Sequence, residues 1–199
     1  MSIEQMSDFF TDRVDMYDEH MIKNVEGCKE GYIKMAELLP KEVNELLDLG
    51  CGTGLELDEI FKTKPFINVT GIDLTQAMLD KLKQKYPSKN LSLINANYFD
   101  YDFGISKYDA AVSFQTMHHF SHEDKLKLYI KIFNALKTNG QYIECDYMSK
   151  ASKRKIFIIV KINEYVKNRI LLMENFIIMI RHVQLIIKLS CYLKLVLKL

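Results

Sequence analysis

The sequence predicts an α/β fold with a doubly wound, mostly parallel sheet and helices on both of its faces. Three observations support this class. Short apolar runs alternate with segments of helical periodicity from Glu45 to Met148. The first apolar run leads into a glycine-rich turn at Gly50, and the second ends on an acid, Asp73. The chain of 199 residues is long enough for one domain with a sizeable core.

The same pattern places five strands and three intervening helices along the chain. The predicted strands cover residues 45–50, 67–73, 91–95, 108–114 and 141–147. The predicted helices cover residues 55–62, 76–86 and about 122–137. We expect the Thr75 hydroxyl to cap the second helix, and the stretch from Ser121 to Asp124 resembles a capping box for the third. Asn139 and Gly140 are expected to end that third helix.

Two further helices are predicted ahead of the sheet, over residues 4–20 and 28–39. Aromatic and basic side chains fall at three- and four-residue spacings along the first of them, namely Phe9, Phe10, Arg13, Tyr17 and His20. Two interpretations of this face stay open. It packs against the sheet, or it also covers a ligand pocket.

Composition divides the chain into a helical cap (1–40), a core (41–149) and an atypical tail (150–199). Residues 1–150 carry 17 lysines and arginines against 24 acids, so we expect no nucleic-acid partner. The four cysteines include no CxxC pair, and no secretory segment begins the sequence. We therefore expect a cytoplasmic protein. His118, His119 and His122 lack a further ligand cluster, which predicts no metal site.

The tail differs sharply from the rest of the chain. Residues 151–199 contain ten isoleucines, eight leucines and ten basic residues, but only two acids and no Gly, Pro or Asp. Their uncharged stretches are too short to span a bilayer, which predicts no transmembrane segment. A membrane-surface helix is one interpretation. We favour translation in a shifted reading frame, which predicts that the last strands of the sheet are missing or altered and that turnover is impaired.

The glycine turn is the most informative stretch, with the sequence LLDLGCGTG over residues 46–54. A strand that runs through GxGxG into a helix brings its backbone very close to a ligand. We expect Gly50 to turn sharply, Gly52 to leave room for the ligand, and Gly54 to let helix and strand pack tightly. The helix N-terminus also offers unpaired N–H groups to polar ligand atoms.

The acid at the end of the second strand narrows the ligand class. Asp73 lies 23 residues beyond Gly50, where an acid accepts hydrogen bonds from ribose hydroxyls in such folds. Dinucleotides and S-adenosylmethionine (SAM) both use this geometry. The GxGxG spacing lacks the GxGxxG of dinucleotide sites, and no tyrosine has a lysine four residues later. Asp48 suits the cationic amino group of a methionine moiety, so SAM is favoured.

Several motifs together resemble the class I SAM-dependent methyltransferases, in the family's order. They are LLDLGCGTG (46–54), GID (71–73), INANYFDYDF (94–103), YDAAVSFQTMHHF (108–120) and, near the N-terminus, FFTDRVDMYDEHM (9–21). The resemblance covers about residues 8–148 and implies a Rossmann-like core. It departs from the family at Asn97, where an aspartate usually accepts from the adenine amino group. An amide oxygen can accept the same bond.

The resemblance also implies which residues form the site. Cofactor-binding positions carried over from the family are Asp48, Gly50, Cys51, Gly52, Gly54, Asp73, Leu74, Met78, Asn97, Tyr98 and Phe114. Candidate catalytic residues are His118, at the carboxyl end of the fourth strand, and Tyr17, whose Tyr-Asp pair lies near the cofactor in small bacterial members.

The implied activity is methyl transfer from SAM to a small-molecule acceptor. Use of a general base depends on the acceptor, because a thiolate or carbanion needs none, whereas a phenol or amine must lose a proton. Two alternatives remain. One is a catalytically impaired, SAM-binding remnant of such an enzyme. The other is a nicotinamide-dependent oxidoreductase.

Overall fold

A computed structural model of the chain describes residues 3–147 and 157–162. Six strands form one sheet in the order β3-β2-β1-β4-β5-β6, in which β6 alone is antiparallel to its neighbour. The strands are β1 Glu45–Leu49, β2 Asn68–Asp73, β3 Leu91–Asn95, β4 Tyr108–Phe114, β5 Leu136–Tyr147 and β6 Phe157–Ile162. The helices are α1 Ile3–Thr11, α2 Val14–Asn24, α3 Cys28–Leu38, α4 Leu55–Thr63, α5 Gln76–Lys85 and α6 His122–Ala135. The predicted Rossmann-like class is confirmed.

Strand order reverses between β1 and β4, which places a crevice at their carboxyl ends. Both faces of the sheet are covered. Leu46 belongs to a core shared with α3, α4 and α5, whereas Leu47 belongs to a second core shared with α6. Both leucines are fully buried, as expected for a central strand of a parallel sheet. No helix within the described residues is long and apolar enough to cross a membrane.

The first predicted helix is in fact two helices, α1 and α2, which meet at Arg13. The amides of Asp12 and Arg13 bond to the Asp8 and Phe10 carbonyls and close the end of α1. Arg13 then leaves the helical region with ψ near 0°. Because of this break, α1 contacts α5 while α2 packs against both α3 and α5.

Two predicted boundaries were also wrong. Helix α6 ends at Ala135, and β5 begins at once with Leu136, so Asn139 and Gly140 lie inside the strand. Asn139 has φ of +66°, and the register with β4 shifts at this point, which marks an irregularity of the ladder. Thr75 does occupy the N-cap of α5, but its hydroxyl makes no capping bond.

The tail contributes one described element, the antiparallel edge strand β6, which pairs with β5 from Tyr142 to Tyr147. The frameshift hypothesis otherwise concerns residues that lie outside the described part of the chain, and it stays a prediction.

Candidate functional site

The glycine turn between β1 and α4 holds three residues in the left-handed region. The φ angles are +71° at Gly50, +47° at Gly52 and +73° at Gly54. A Cβ at Gly54 would lie 2.4 Å from Leu82 Cδ1, so this glycine permits close packing of α4 on α5. A Cβ at Gly52 would meet nothing within 4 Å. The open space beside Gly52 is where a ligand can approach the backbone.

Asp73 connects this turn to the end of β2. Its Oδ2 accepts a hydrogen bond from Gly52 N at 2.9 Å, and its Oδ1 accepts one from Thr75 N at 2.8 Å. The residue therefore caps the turn after β2 and also faces the pocket. Each carboxylate oxygen can accept a further hydrogen bond, as a ribose diol requires. Burial raises the pKa of Asp73, although the two amide bonds oppose this.

A pocket opens over this end of the sheet, which we call the cofactor pocket. Seven of the predicted cofactor residues line it: Gly50, Gly52, Asp73, Leu74, Met78, Tyr98 and Phe114. The predicted catalytic residue Tyr17 lines it as well. The lining also includes Phe10, from the aromatic face predicted for the first helix, and His119, from the histidine pair after the fourth strand. Four further lining residues were not assigned to the site from the sequence: Thr75, Gln115, Thr116 and Phe120.

Four predicted cofactor residues lie outside this lining. Cys51 is buried and would contact any side chain at Gly71, so it packs in the core. Gly54 is the packing position described above. Asn97 Oδ1 accepts from Phe99 N at 3.0 Å, which engages the oxygen expected to meet adenine. Asp48 lies beneath the glycine turn.

Asp48 is paired with a second buried acid, Glu56, in the first turn of α4. The two carboxyl groups lie close enough that each shifts the pKa of the other. Within residues 3–147 and 157–162, Asp48 Oδ2 and Glu56 Oε1 have no hydrogen-bond partner. Burial raises the pKa of Glu56 to about 7 and raises that of Asp48 well above its usual range. Two buried acids with unsatisfied oxygens fit the ammonium group of a methionine moiety.

Helix α2 is anchored to the glycine turn. Thr53 Oγ1 donates to Asp18 Oδ1 at 2.5 Å, which holds Tyr17 against the cofactor pocket. Burial, reinforced by the nearby Glu56, raises the pKa of Tyr17 far above its ordinary value. The Tyr17 hydroxyl is therefore protonated at neutral pH and able to donate a hydrogen bond.

His118 follows β4 in a short 3-10 helix, Met117–His119. Asp146 of β5, which is 1% exposed, accepts from His118 twice. Its Oδ1 lies 2.6 Å from His118 Nδ1, and its Oδ2 lies 2.8 Å from His118 N. A carboxylate at Nδ1 selects the tautomer whose Nε2 carries the lone pair. Burial and the neighbouring His118 lower the pKa of His119.

A second cavity of about 640 Å³ lies between α2 and the segment after β4. It shares four lining residues with the cofactor pocket: Phe10, Tyr17, Gln115 and His119. His118 lines this second cavity and not the cofactor pocket. The shared residues show that the two spaces adjoin. Among the described residues, no group of three His, Cys, Asp or Glu side chains is arranged to hold a metal.

Residues 46–140 match the family model described as a methyltransferase domain. The match covers the glycine turn, Asp73 and the segment after β4. These residues form a class I SAM-dependent methyltransferase domain. SAM is accordingly its cofactor, and the glycine cradle and the buried acids fit that group.

Two relatives and one solved structure illustrate the similarity. Carboxy-S-adenosyl-L-methionine synthase of Nautilia profundicola is 26% identical over 165 residues, 80% of this chain and 70% of the synthase. Trans-aconitate 2-methyltransferase of an Enterobacter species is 29% identical over 109 residues, 53% of this chain and 41% of that enzyme. A complex of DhpI with SAM and HEP has a TM-score of 0.62 at 15% identity, covering 75% of this chain and 67% of DhpI. At that identity the likeness shows the fold alone.

Proposed function

We propose that this methyltransferase domain binds SAM in the cofactor pocket and methylates a small molecule seated in the second cavity. The observation that carries the proposal is the wall common to both spaces, formed by Phe10, Tyr17, Gln115 and His119. When bound, SAM supplies an electrophilic methyl group on a sulfonium. A cavity of about 640 Å³ beside that pocket has the size typical of small-molecule sites.

The protein's own residues hold the cofactor from three directions. Asp73 accepts from the ribose hydroxyls, and Gly52 admits the ligand against the backbone. Met78, Tyr98 and Phe120 supply the apolar surface that suits adenine. Asp48 and Glu56 attract the ammonium group. All of these residues line the cofactor pocket or lie beneath the glycine turn.

The helices α1 and α2 orient the reactants and exclude water. Phe10 of α1 and Tyr17 of α2 each line both spaces, so they lie at the junction where the reacting atoms meet. Holding two reactants in contact there lowers the barrier by several kcal/mol, on the order of 7 kcal/mol in favourable cases. The Tyr17 hydroxyl, which stays protonated, can donate a hydrogen bond to a ligand at the same junction.

His118 is the residue placed to take a proton from the acceptor. Its Nδ1–H is held by Asp146 at 2.6 Å, which leaves Nε2 as the basic nitrogen of a ring that lines the second cavity. For an acceptor with an O–H or N–H nucleophile, the acceptor's proton passes to Nε2. Asp146 is a positioning residue in this scheme, because it acts through His118.

The test is calorimetric titration of the full chain with S-adenosylhomocysteine (SAH). We expect saturable binding that Asp73→Ala abolishes and Asp73→Asn weakens more than about tenfold. Asp80→Asn is the matched control, since Asp80 is exposed on α5 and bonds only to Gln76 among the hydrogen bonds described. A folded chain that fails to bind SAH would contradict the proposal. Binding without any methylated product from an acceptor screen would identify a SAM-binding remnant.

A second candidate follows from the relatives that cover most of the chain. Three carboxy-SAM synthases align over 76% to 83% of it. An enzyme of that kind would move a carboxyl group from a second, carboxylated substrate onto the methyl carbon of SAM, and the hydrogen displaced from that carbon would leave with the remainder of the donor. Mass spectrometry of the nucleoside product separates the candidates, because methyl transfer yields SAH and carboxylation yields a nucleoside heavier than SAM.

A further inference from the structure

We infer that the second cavity recognises its acceptor through a carboxylate group, and that Arg13 is the residue that binds it. This inference rests on the proposed function, because it names the acceptor class for the same site. It is carried by the charges that line the cavity, by the way Arg13 is held, and by the apolar character of the remaining walls.

The ionisable side chains of the second cavity are mostly basic. Arg13, Lys23 and three histidines line it, against a single acid, Glu19. That acid already pairs with Lys23, whose Nζ lies 2.6 Å from Glu19 Oε1. Arg13 therefore remains as the uncompensated permanent charge of the lining. The surroundings have the opposite sign, since residues 1–150 carry 17 basic residues against 24 acids.

Arg13 is held in place without a carboxylate partner. Its guanidinium carbon lies 3.7 Å from the centre of the Phe9 ring, and its Nη1 donates to the Phe9 carbonyl at 3.0 Å. Among the side chains of residues 7–121 and 123–146, no carboxylate oxygen lies within 4.0 Å of an Arg13 nitrogen. The stacked guanidinium keeps further N–H donors in the planar arrangement that matches a carboxylate.

Arg13 lies at the break between α1 and α2, with ψ near 0°. Its side chain folds back over Phe9 of α1, while α2 continues along the cavity wall. Residues of both helices therefore line the cavity around the guanidinium.

The other walls define the rest of the acceptor. Apolar side chains cover much of the cavity, namely Phe9, Phe10, Met16, Met21 and Val25. The histidines and Gln115 border the cofactor side, since His119 and Gln115 line both spaces. The acceptor is thus a small acid with an apolar body, and its nucleophilic atom faces the cofactor pocket. Trans-aconitate, named in the Enterobacter relative, is itself a carboxylate.

The test measures binding of simple acids to the full chain saturated with SAH. Benzoate and hexanoate are titrated beside benzamide and hexanamide, which have nearly the same shape without the charge. We expect at least one acid to bind about tenfold more tightly than its amide, with SAH still bound. We also expect Arg13→Gln to remove that preference and Arg13→Lys to keep part of it. Lys34→Gln is the matched control and leaves the preference unchanged, because Lys34 is an exposed lysine of α3 that pairs with Glu37 and does not line the cavity.

Failure of this inference differs from failure of the proposed function. If SAH binds but acids and amides bind equally, or neither acid binds, the carboxylate assignment is overturned. It is also overturned if Arg13→Gln and Lys34→Gln have the same effect. The titrations are repeated without SAH, so that the acid preference is measured even in a chain that does not bind SAH.

Discussion

The cofactor pocket and the second cavity meet at one wall, yet they are built by different means. The cofactor pocket is shaped by backbone: three glycines with positive φ, a strand end where Asp73 accepts from two backbone amides, and two buried acids beneath the turn. The second cavity is shaped by side chains of α1, α2 and the segment after β4. Substitutions in the cofactor pocket should therefore either lower the stability of the fold or block ligand binding. Changes to the cavity should alter rate or selectivity and leave the fold intact.

The largest effect should come from the glycine turn, where Gly54→Ala and Gly52→Ala separate packing from ligand access. We expect Gly54→Ala to lower the free energy of unfolding by about 3 kcal/mol, because it adds left-handed strain and a clash with Leu82. Gly52→Ala has the strain without the clash and should cost about 1 kcal/mol. Urea unfolding of both variants measures the difference.

In ligand binding the order of the two variants should reverse, with the larger loss of SAH affinity in Gly52→Ala. The new methyl group at Gly52 enters the open space of the cofactor pocket, so SAH affinity should fall by more than about tenfold even in folded protein. The two roles would be contradicted if both variants lost the same stability and Gly52→Ala kept its SAH affinity. Gly54 would then not be a special packing position, and Gly52 would not be the point where the ligand approaches the backbone.

Next in size is the effect of Asp146→Asn, which probes the cavity side of the comparison. Asp146 accepts one hydrogen bond from the ring N–H and one from the backbone N–H of His118. An asparagine has a single side-chain oxygen and so cannot accept both bonds through separate oxygens. We expect kcat for a protic acceptor to fall roughly 100-fold, while SAH affinity stays within about twofold. The pH profile should also change, since His118 loses the partner that fixes its tautomer.

Two comparisons keep this result specific. Asp80→Asn, the same change on an exposed helix, should leave kcat unaltered. A purely structural role for Asp146 would instead lower stability and SAH affinity together, with no change in the shape of the pH profile.

The sequence predicted more of the cofactor pocket than of the second cavity. The reason is that the pocket is formed by residues close together along the chain, whereas the cavity depends on contacts between distant segments. The continuous apolar runs place β3 and β4 at their observed bounds, and the glycine turn with Asp73 lies within 24 residues of chain. The contact of His118 with Asp146 joins two strand ends 28 residues apart and depends on their pairing. The helix break at Arg13 has no glycine or proline to signal it.

The buried acid Glu56 was not predicted from the sequence. An acid in the first turn of a helix is ordinarily an exposed group that complements the helix dipole. Here α4 begins against β1 and α3, so the side chain points to the buried Asp48. Only the packing of α3 on α4 distinguishes the two outcomes.

The smallest of the three effects is a pH dependence that belongs to the cofactor pocket alone. Burial raises the pKa of Glu56 to about 7 in the folded chain, above the 4.5 of a free side chain. A group with a raised pKa stabilises the fold fully below the unfolded value and loses that contribution as pH rises through the folded value. We expect the free energy of unfolding to fall on the order of 2 kcal/mol between about pH 4.5 and pH 7.

Glu56→Gln tests the origin of this slope, because the amide cannot ionise and keeps nearly the same shape. The variant should be as stable as the parent near pH 5 and more stable at pH 8, as measured by urea unfolding at each pH. The titratable groups around Glu56 include Asp48, Asp58, Tyr17, Tyr32 and Lys85. Contact with Asp48, the backbone amide of Glu56 and the positive charge of Lys85 favour its charged form, whereas burial and Asp58 oppose it. If the slope survives in Glu56→Gln, then Asp48 or Asp73 carries it. A matched change in the second cavity, Arg13→Gln, should leave the slope untouched, since no raised carboxyl pKa among the described residues belongs to that cavity.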